Sequence, residues 1–177
     1  MKFLLLAEKA NKKIIKFLSS IGEVSWTSDY INEHTSKEYD WIISFGYRHI
    51  IKRNILNITK NKIINLHISY LPYNRGASPN YWSFKEKTPK GVTIHLIDEG
   101  IDTGPILIQK KCSFNDNDTL KTSYEKLIKN IEILFIENFE KIITGKIKPV
   151  PQKGKGTFHK KKDLLEKIDY NTKINEI

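Results

Sequence analysis

Two periods of apolar residues alternate along this chain, and together they lay out its elements. Residues 2–7 (KFLLLA) are a short apolar run that predicts a buried strand. Residues 9–20 put Ala10, Ile14, Phe17 and Leu18 on one face with lysines between them, which predicts an amphipathic helix stopped by Gly22. EVSW (23–26) reads as a second strand, and the polar stretch to Tyr39 as a loop with a helical turn. DWIISFG (40–46) is an apolar run ending in glycine, the pattern of a strand covered on both faces. RHIIKRNILN reads as short and helical, KIINLHIS (62–69) as another buried strand. SPNYWSFKEK (78–87) predicts a short helix with Ser78 at its cap and Pro79 in its first turn. GVTIHLID (91–98) and GPILIQKKCSF (104–114) are strands. The strongest signal is a stripe from Thr119 to Thr144, capped by Asn117 or Asp118 and closed by Gly145. From Lys146 a basic, glycine-containing tail predicts a loop followed by a short helix.

Strands alternating with helices predict an α/β fold with an open, mostly parallel sheet, built as one domain over residues 1–177 with 146–177 as a basic extension. Such sheets bind ligands beyond the carboxyl ends of their strands. Three polar segments fall there: FGYRHI after the third strand, NLHISYLPYNRG after the fourth, and DEGIDTG after GVTIHLI.

The first apolar run is too short for a signal-peptide core or a membrane span. One cysteine, Cys112, excludes an internal disulfide and suits a cytoplasmic protein. The net charge of +10 suggests either a solvated basic surface or attraction of a phosphorylated small molecule. Its lysines are scattered rather than gathered, so nucleic acid and membrane are not expected partners. No phosphate-binding glycine motif occurs, and the five histidines lack metal spacing, so no metal is expected.

Asn65, His67 and Ser69 share one strand face. Asn65, His67 and the loop residue Asp102 form a coherent set for acyl transfer. An amide and an imidazolium can donate to an oxyanion, and a carboxylate can orient the imidazole and help move a proton. Ser69 has no nucleophile-elbow context and reads as a structural hydroxyl.

N-L-H-x-S-x-L-P-x-x-R-G, followed by G-V-T-x-H and I-D-x-G, resembles the formyltransferases that use 10-formyltetrahydrofolate. The wider string from about residue 40 to 111 is most similar to the branch acting on nucleotide-linked amino sugars, with a weaker echo at GTFHKKKDL. The resemblance implies a Rossmann-like formyltransferase fold with an abbreviated N-terminal half. It implies Asn65, His67 and Asp102 as catalytic residues. His49, Ile50 and Ile51 would receive the folate ring on one side, with Asp98, Glu99, Gly100 and Ile101 on the other. Tyr73 and Arg75 are candidate substrate contacts, Arg75 for a pyrophosphate. Tyr81 and Trp82 serve either stacking on a sugar or base, or packing.

The implied activity is direct formyl transfer to the amine of a nucleotide-linked, expectedly dTDP-linked, amino sugar in polysaccharide synthesis, without a covalent enzyme intermediate. A homodimer is compatible with it. Ala77, where the aminoarabinose-modifying branch has arginine, argues against that sugar. The stretch after the core is expected to be too short for the tRNA-binding barrel of methionyl-tRNA formyltransferases. The alternatives are formylation of glycinamide ribonucleotide or another small amine, and a non-enzymatic basic nucleic-acid-binding protein.

Overall fold

The computed structural model describes residues 1–164 and 167–177. Its elements are β1 (Lys2–Leu6), α1 (Lys12–Ser19), β2 (Glu23–Thr27), α2 (Glu33–Lys37), β3 (Trp41–Ser44), α3 (Arg53–Thr59) and β4 (Ile63–His67). They continue as β5 (Arg75–Gly76), α4 (Pro79–Lys85), β6 (Gly91–Leu96), β7 (Ile106–Lys111), α5 (Leu120–Ile143) and β8 (Phe158–His159). Two single-turn 3₁₀ helices, Lys161–Asp163 and Ile174–Glu176, follow.

Six strands form one sheet in the order β2-β1-β3-β4-β6-β7. The first four run parallel, and β6 and β7 each pair antiparallel with the preceding strand in that order. The expected mostly parallel α/β sheet is what the chain builds.

Side-chain alternation decides what covers each face. Along β1, Phe3 and Leu5 point into a cluster with Ile43, Ile64, Leu66 and the α5 residues Phe135 and Phe139. Leu4 and Leu6 point the other way, into a cluster with Ile42, Ile63 and the α3 residue Ile55. A strand covered on both faces has no polar side to show, which is why KFLLLA and WIIS read as continuous apolar runs. Phe139 locks α5 to the sheet through edge-on contacts with Phe3 (5.5 Å) and Trp41 (6.4 Å).

Several sequence expectations shift here. Helix α3 begins only at Arg53: residues 48–52 form no helix, Ile51 is buried, and Lys52 is extended at the cap position. Thr119, rather than Asn117 or Asp118, caps α5, exchanging bonds with Thr122 in a capping box. Asp118 is occupied elsewhere: Lys126 Nζ reaches its carboxylate at 2.6 Å and the Asn115 N–H donates to it at 2.9 Å. Ser78 sits at the cap position of α4 in the left-handed region (φ 51) and makes no side-chain cap bond. The short helix expected late in the tail falls on residues 165 and 166, outside the described residues, and on flanks that show only a 3₁₀ turn at Lys161–Asp163. In place of a featureless loop, the tail contributes β8, which pairs in parallel with β5.

Because Phe135 is fully buried in the main cluster, Phe135→Ala is expected to lower unfolding free energy by about 3–5 kcal/mol in urea titration. Glu137→Ala, on the exposed face of the same helix, is expected to change it by no more than about 0.5 kcal/mol.

Candidate functional site

Strand β4 carries Asn65 and His67 at its carboxyl end, both on the same face by the two-residue repeat of a strand. Its antiparallel neighbour β6 places His95 directly opposite Asn65. The loop between β6 and β7 then returns Asp102 over the two. These four side chains form one cluster in which Asp102 is the hub.

Asn65 Nδ2 donates to Asp102 Oδ1 at 3.0 Å, and the Gly76 N–H donates to Oδ2 at 2.8 Å. His67 Nδ1 lies 3.6 Å from Oδ2, and His95 Nε2 lies 3.5 Å from Oδ1. His95 Nε2 also lies 3.3 Å from Asn65 Nδ2, so both hydrogens of that amide face partners inside the protein. The opposite ring nitrogens are anchored as well. His95 Nδ1 donates to the Leu96 carbonyl at 2.7 Å, and His67 Nε2 donates to the Asn74 carbonyl at 3.1 Å.

This arrangement sets the protonation states. With Nε2–H of His67 given to Asn74, its Nδ1 is a lone pair in the neutral ring and a second donor in the imidazolium. Only the imidazolium would satisfy both flanking acceptors. Burial opposes it: loss of hydration pushes the His67 pKa below its ordinary value, outweighing the attraction of Asp102 and the Asn74 carbonyl, while His95 adds to the downward push. Asp102 is also buried, which by itself favours the neutral acid. The His67 charge, the hydrogen bond and charge of His95, and the Gly76 N–H overcome that and hold the carboxyl below the usual carboxylate range. The resting site is therefore an ionised carboxylate beside a neutral imidazole whose Nδ1, on taking up a proton, turns an N–H to that carboxylate across 3.6 Å.

Two turns position the hub. Asp102 has φ 54 and Asn74 φ 58, both in the left-handed region that costs residues with a Cβ of the order of 1–2 kcal/mol. Gly76 (φ 86) leaves room where β8 crosses, since a Cβ there would overlap the His159 carbonyl oxygen. Ser69 is buried and donates to the Tyr73 carbonyl at 2.7 Å, a structural hydroxyl closing the turn.

The two segments expected around a folate ring are brought side by side. Ile51 and Ile97 pack in the same cluster, and Arg53 Nε meets Glu99 Oε1 at 2.9 Å. His49 lies against Tyr30 with ring centroids 3.8 Å apart. Ile50 and Ile101 keep 72% and 47% of their surface exposed, so apolar groups from both segments face outward. Asp98 accepts from the Gly100 N–H and the Thr103 hydroxyl, which folds the loop back towards Asp102. A depression of about 210 Å³ lies beside Asp98 and Glu99 against α3.

On the other side, Tyr73 is half-buried. The Arg75 guanidinium is held by Gln152 Oε1 through Nε (3.1 Å) and Nη2 (2.7 Å). Trp82 stacks on His159 (4.0 Å, 6°) and Tyr81 meets Trp82 edge-on, so these rings serve packing. Sequence reasoning assigned no role to His95 or Gln152. His95 had one visible signal, the G-V-T-x-H string; Gln152 had none.

An open α/β sheet with a buried carboxylate, imidazole and amide at its strand ends defines a site suited to acyl-group transfer. The chain belongs to the formyl transferase family, whose conserved N-terminal domain matches residues 10–138. It is 41% identical over 152 residues to the methionyl-tRNA formyltransferase of Thermodesulfovibrio yellowstonii, 84% of this chain and 49% of that protein. The chain thus spans about half the length of the curated relatives it matches. Its fold is similar to the formyltransferase PseJ from Anoxybacillus kamchatkensis, solved with UDP-4,6-dideoxy-4-formamido-L-AltNAc and tetrahydrofolate. The TM-score is 0.93 at 44% identity, over 99% of this chain and 97% of that one. The N-formyltransferase from Helicobacter canadensis shares the fold at a TM-score of 0.77 and 22% identity, over 95% of this chain and 74% of that one.

Folding lowers the His67 pKa from 6.5, so as pH falls below that value the unfolded chain binds a proton that the folded one resists. Asp102, with its pKa lowered from 3.8, adds a loss of stability only in a more acidic range. The urea midpoint is accordingly expected to be lower at pH 5 than at pH 7.5. His67→Gln is expected to flatten part of that slope; a variant with the full wild-type slope would contradict the assignment.

Proposed function

We propose that this chain transfers the formyl group of 10-formyltetrahydrofolate to the amine of a nucleotide-linked amino sugar. The observation that carries the reading is the Asn65–His67–Asp102 cluster at the strand ends, in a chain similar to PseJ over almost its whole length. Ile50 and Ile101, both exposed, suit the faces of a flat pterin ring that would cover them.

A neutral amine attacks the formyl carbon, forming a C–N bond and a tetrahedral oxyanion. The amide of Asn65 stabilises this oxyanion by releasing its longer contact, the 3.3 Å approach to His95. His67, neutral at rest, takes the proton leaving the amine and becomes the imidazolium that Asp102 stabilises. The bond from the formyl carbon to the folate nitrogen then breaks, its electron pair stays on that nitrogen, and the proton held on His67 passes to it, which returns the imidazole to its neutral form. The amine gains a formyl group, and tetrahydrofolate is released. Arg75, with Nε and Nη2 on Gln152, offers Nη1 to a pyrophosphate, and Tyr73 flanks the same loop.

UDP and dTDP both belong in the test of carrier, since the expectation from sequence was dTDP and PseJ was solved with a UDP-linked sugar. A second reading, formylation of methionyl-tRNA, is favoured by the 41% identity to an enzyme of that name. The panel therefore holds UDP- and dTDP-linked amino sugars, glycinamide ribonucleotide and methionyl-tRNA, with tetrahydrofolate release as the readout. Turnover is expected with a nucleotide-linked amino sugar. Asn65→Ala should lower kcat by about 10²–10³ and His67→Ala by about 10²–10⁴. No turnover with any amine would refute the reading.

A further inference from the structure

Residues 150–159 cross the open side of the site as a strap, and three of its attachments land on the two loops that shape the cluster. Val150 exchanges backbone hydrogen bonds with Ile106, at 2.8 Å each way. Thr157 Oγ1 accepts from the Asn74 N–H at 2.8 Å, and β8 pairs with β5 beside Gly76. Between these points lies Gln152. Its Nε2 donates to the carbonyls of Asp102 and Gly104, both at 2.8 Å, while its Oε1 accepts two bonds from Arg75.

Asp102 needs such a restraint. A residue with a Cβ relaxes from φ 54 unless its surroundings forbid it. The bonds from Asn65 and Gly76 hold only the carboxylate. Gln152 is what holds the main-chain carbonyl of the same residue. An amide is the one side chain of this length that can donate twice and accept twice at a single point.

We propose that Gln152 is a positioning residue for the transfer: by bridging the Asp102 and Gly104 carbonyls to Arg75, it keeps Asp102 left-handed and its carboxylate against Asn65, His67 and the Gly76 N–H. This inference rests on the reading given under Proposed function for its kinetic consequence, but not for its geometric one. The titratable and charged groups facing His67 are Asp102 and His95. Once Asp102 is free to swing away, His67 loses the charge that favours its protonation.

The test compares the wild-type chain with Gln152→Ala, Gln152→Glu and Arg75→Ala. Glu at 152 keeps the Arg75 contact but turns an oxygen towards two carbonyls, whereas Arg75→Ala leaves both donations intact. Histidine NMR titration without substrate is expected to show the His67 pKa lower in both Gln152 variants than in the wild type and unmoved in Arg75→Ala. Where the wild type turns over an amine, Gln152→Ala is expected to lower kcat about tenfold to a hundredfold, with KM for the folate within about twofold. A merely structural role predicts a lower urea midpoint with wild-type kcat and His67 titration, and that result would overturn the proposal, as would no change in any readout. If the wild type formylates none of the amines, the function reading fails and the titration alone decides the role of Gln152.

Discussion

The buried negative charge of Asp102 is the constraint around which this end of the molecule is arranged. An unpaired carboxylate out of water costs several kcal/mol, so the chain must bring donors to it from places far apart in sequence. It brings two donors, the amide of Asn65 from β4 and the N–H of Gly76 from β5, and sets ring nitrogens of His67 and His95 at 3.6 and 3.5 Å from two adjacent strands. Each group has its own support: His67 on the Asn74 carbonyl, His95 on the Leu96 carbonyl, Gly76 at a positive φ where a Cβ would meet β8. The antiparallel arrival of β6 is essential to this, because it sets His95 across from Asn65 where a fifth parallel strand would need a crossover.

Asn65 and the Gly76 N–H already donate to that charge, and burial keeps the imidazole of His67 neutral at rest. A lysine or arginine beside Asp102 would quench the carboxylate and leave it nothing to offer a proton on His67. Here the anion is balanced mainly by neutral donors, so a proton arriving on His67 strengthens an existing 3.6 Å approach rather than creating a lone buried cation.

Much of this could be read along the chain, for definite reasons. The strand runs of β1, β3 and β4 and the stripe of α5 are local patterns, and local patterns survive folding. Asn65 and His67 were legible because a two-residue repeat at the end of an apolar strand fixes a shared face. Asp102 was legible because its loop follows another such strand. What escaped depends on partners distant in sequence. Asp118 is a good helix cap in isolation, but Lys126 and the Asn115 N–H claim it, and Thr119 takes the role. Strands β5 and β8 are two residues each and pair across some eighty positions, so neither has a propensity signal. Gln152, inside KPVPQKGKG, looks like any loop polar residue until the strap folds onto Asp102.

The family match at residues 10–138 contains Asn65, His67, His95 and Asp102 but stops before Gln152 and β8. The likeness to PseJ covers 99% of the chain and so includes the strap. On the mechanism proposed above, the transfer itself draws on the first set, since the formyl carbon and its oxyanion are the same whatever amine attacks. Distinguishing one amine from another needs surfaces beyond the reacting atoms. Beside the cluster lie the loop from Leu71 to Gly76 and the strap that grips it through Thr157, β8 and the Gln152–Arg75 pair. Loops held on a rigid scaffold can change without disturbing it. The hub at Asp102 ties the two regions together: Gln152 of the strap holds its main-chain carbonyl, while Asn65 and the Gly76 N–H hold its carboxylate.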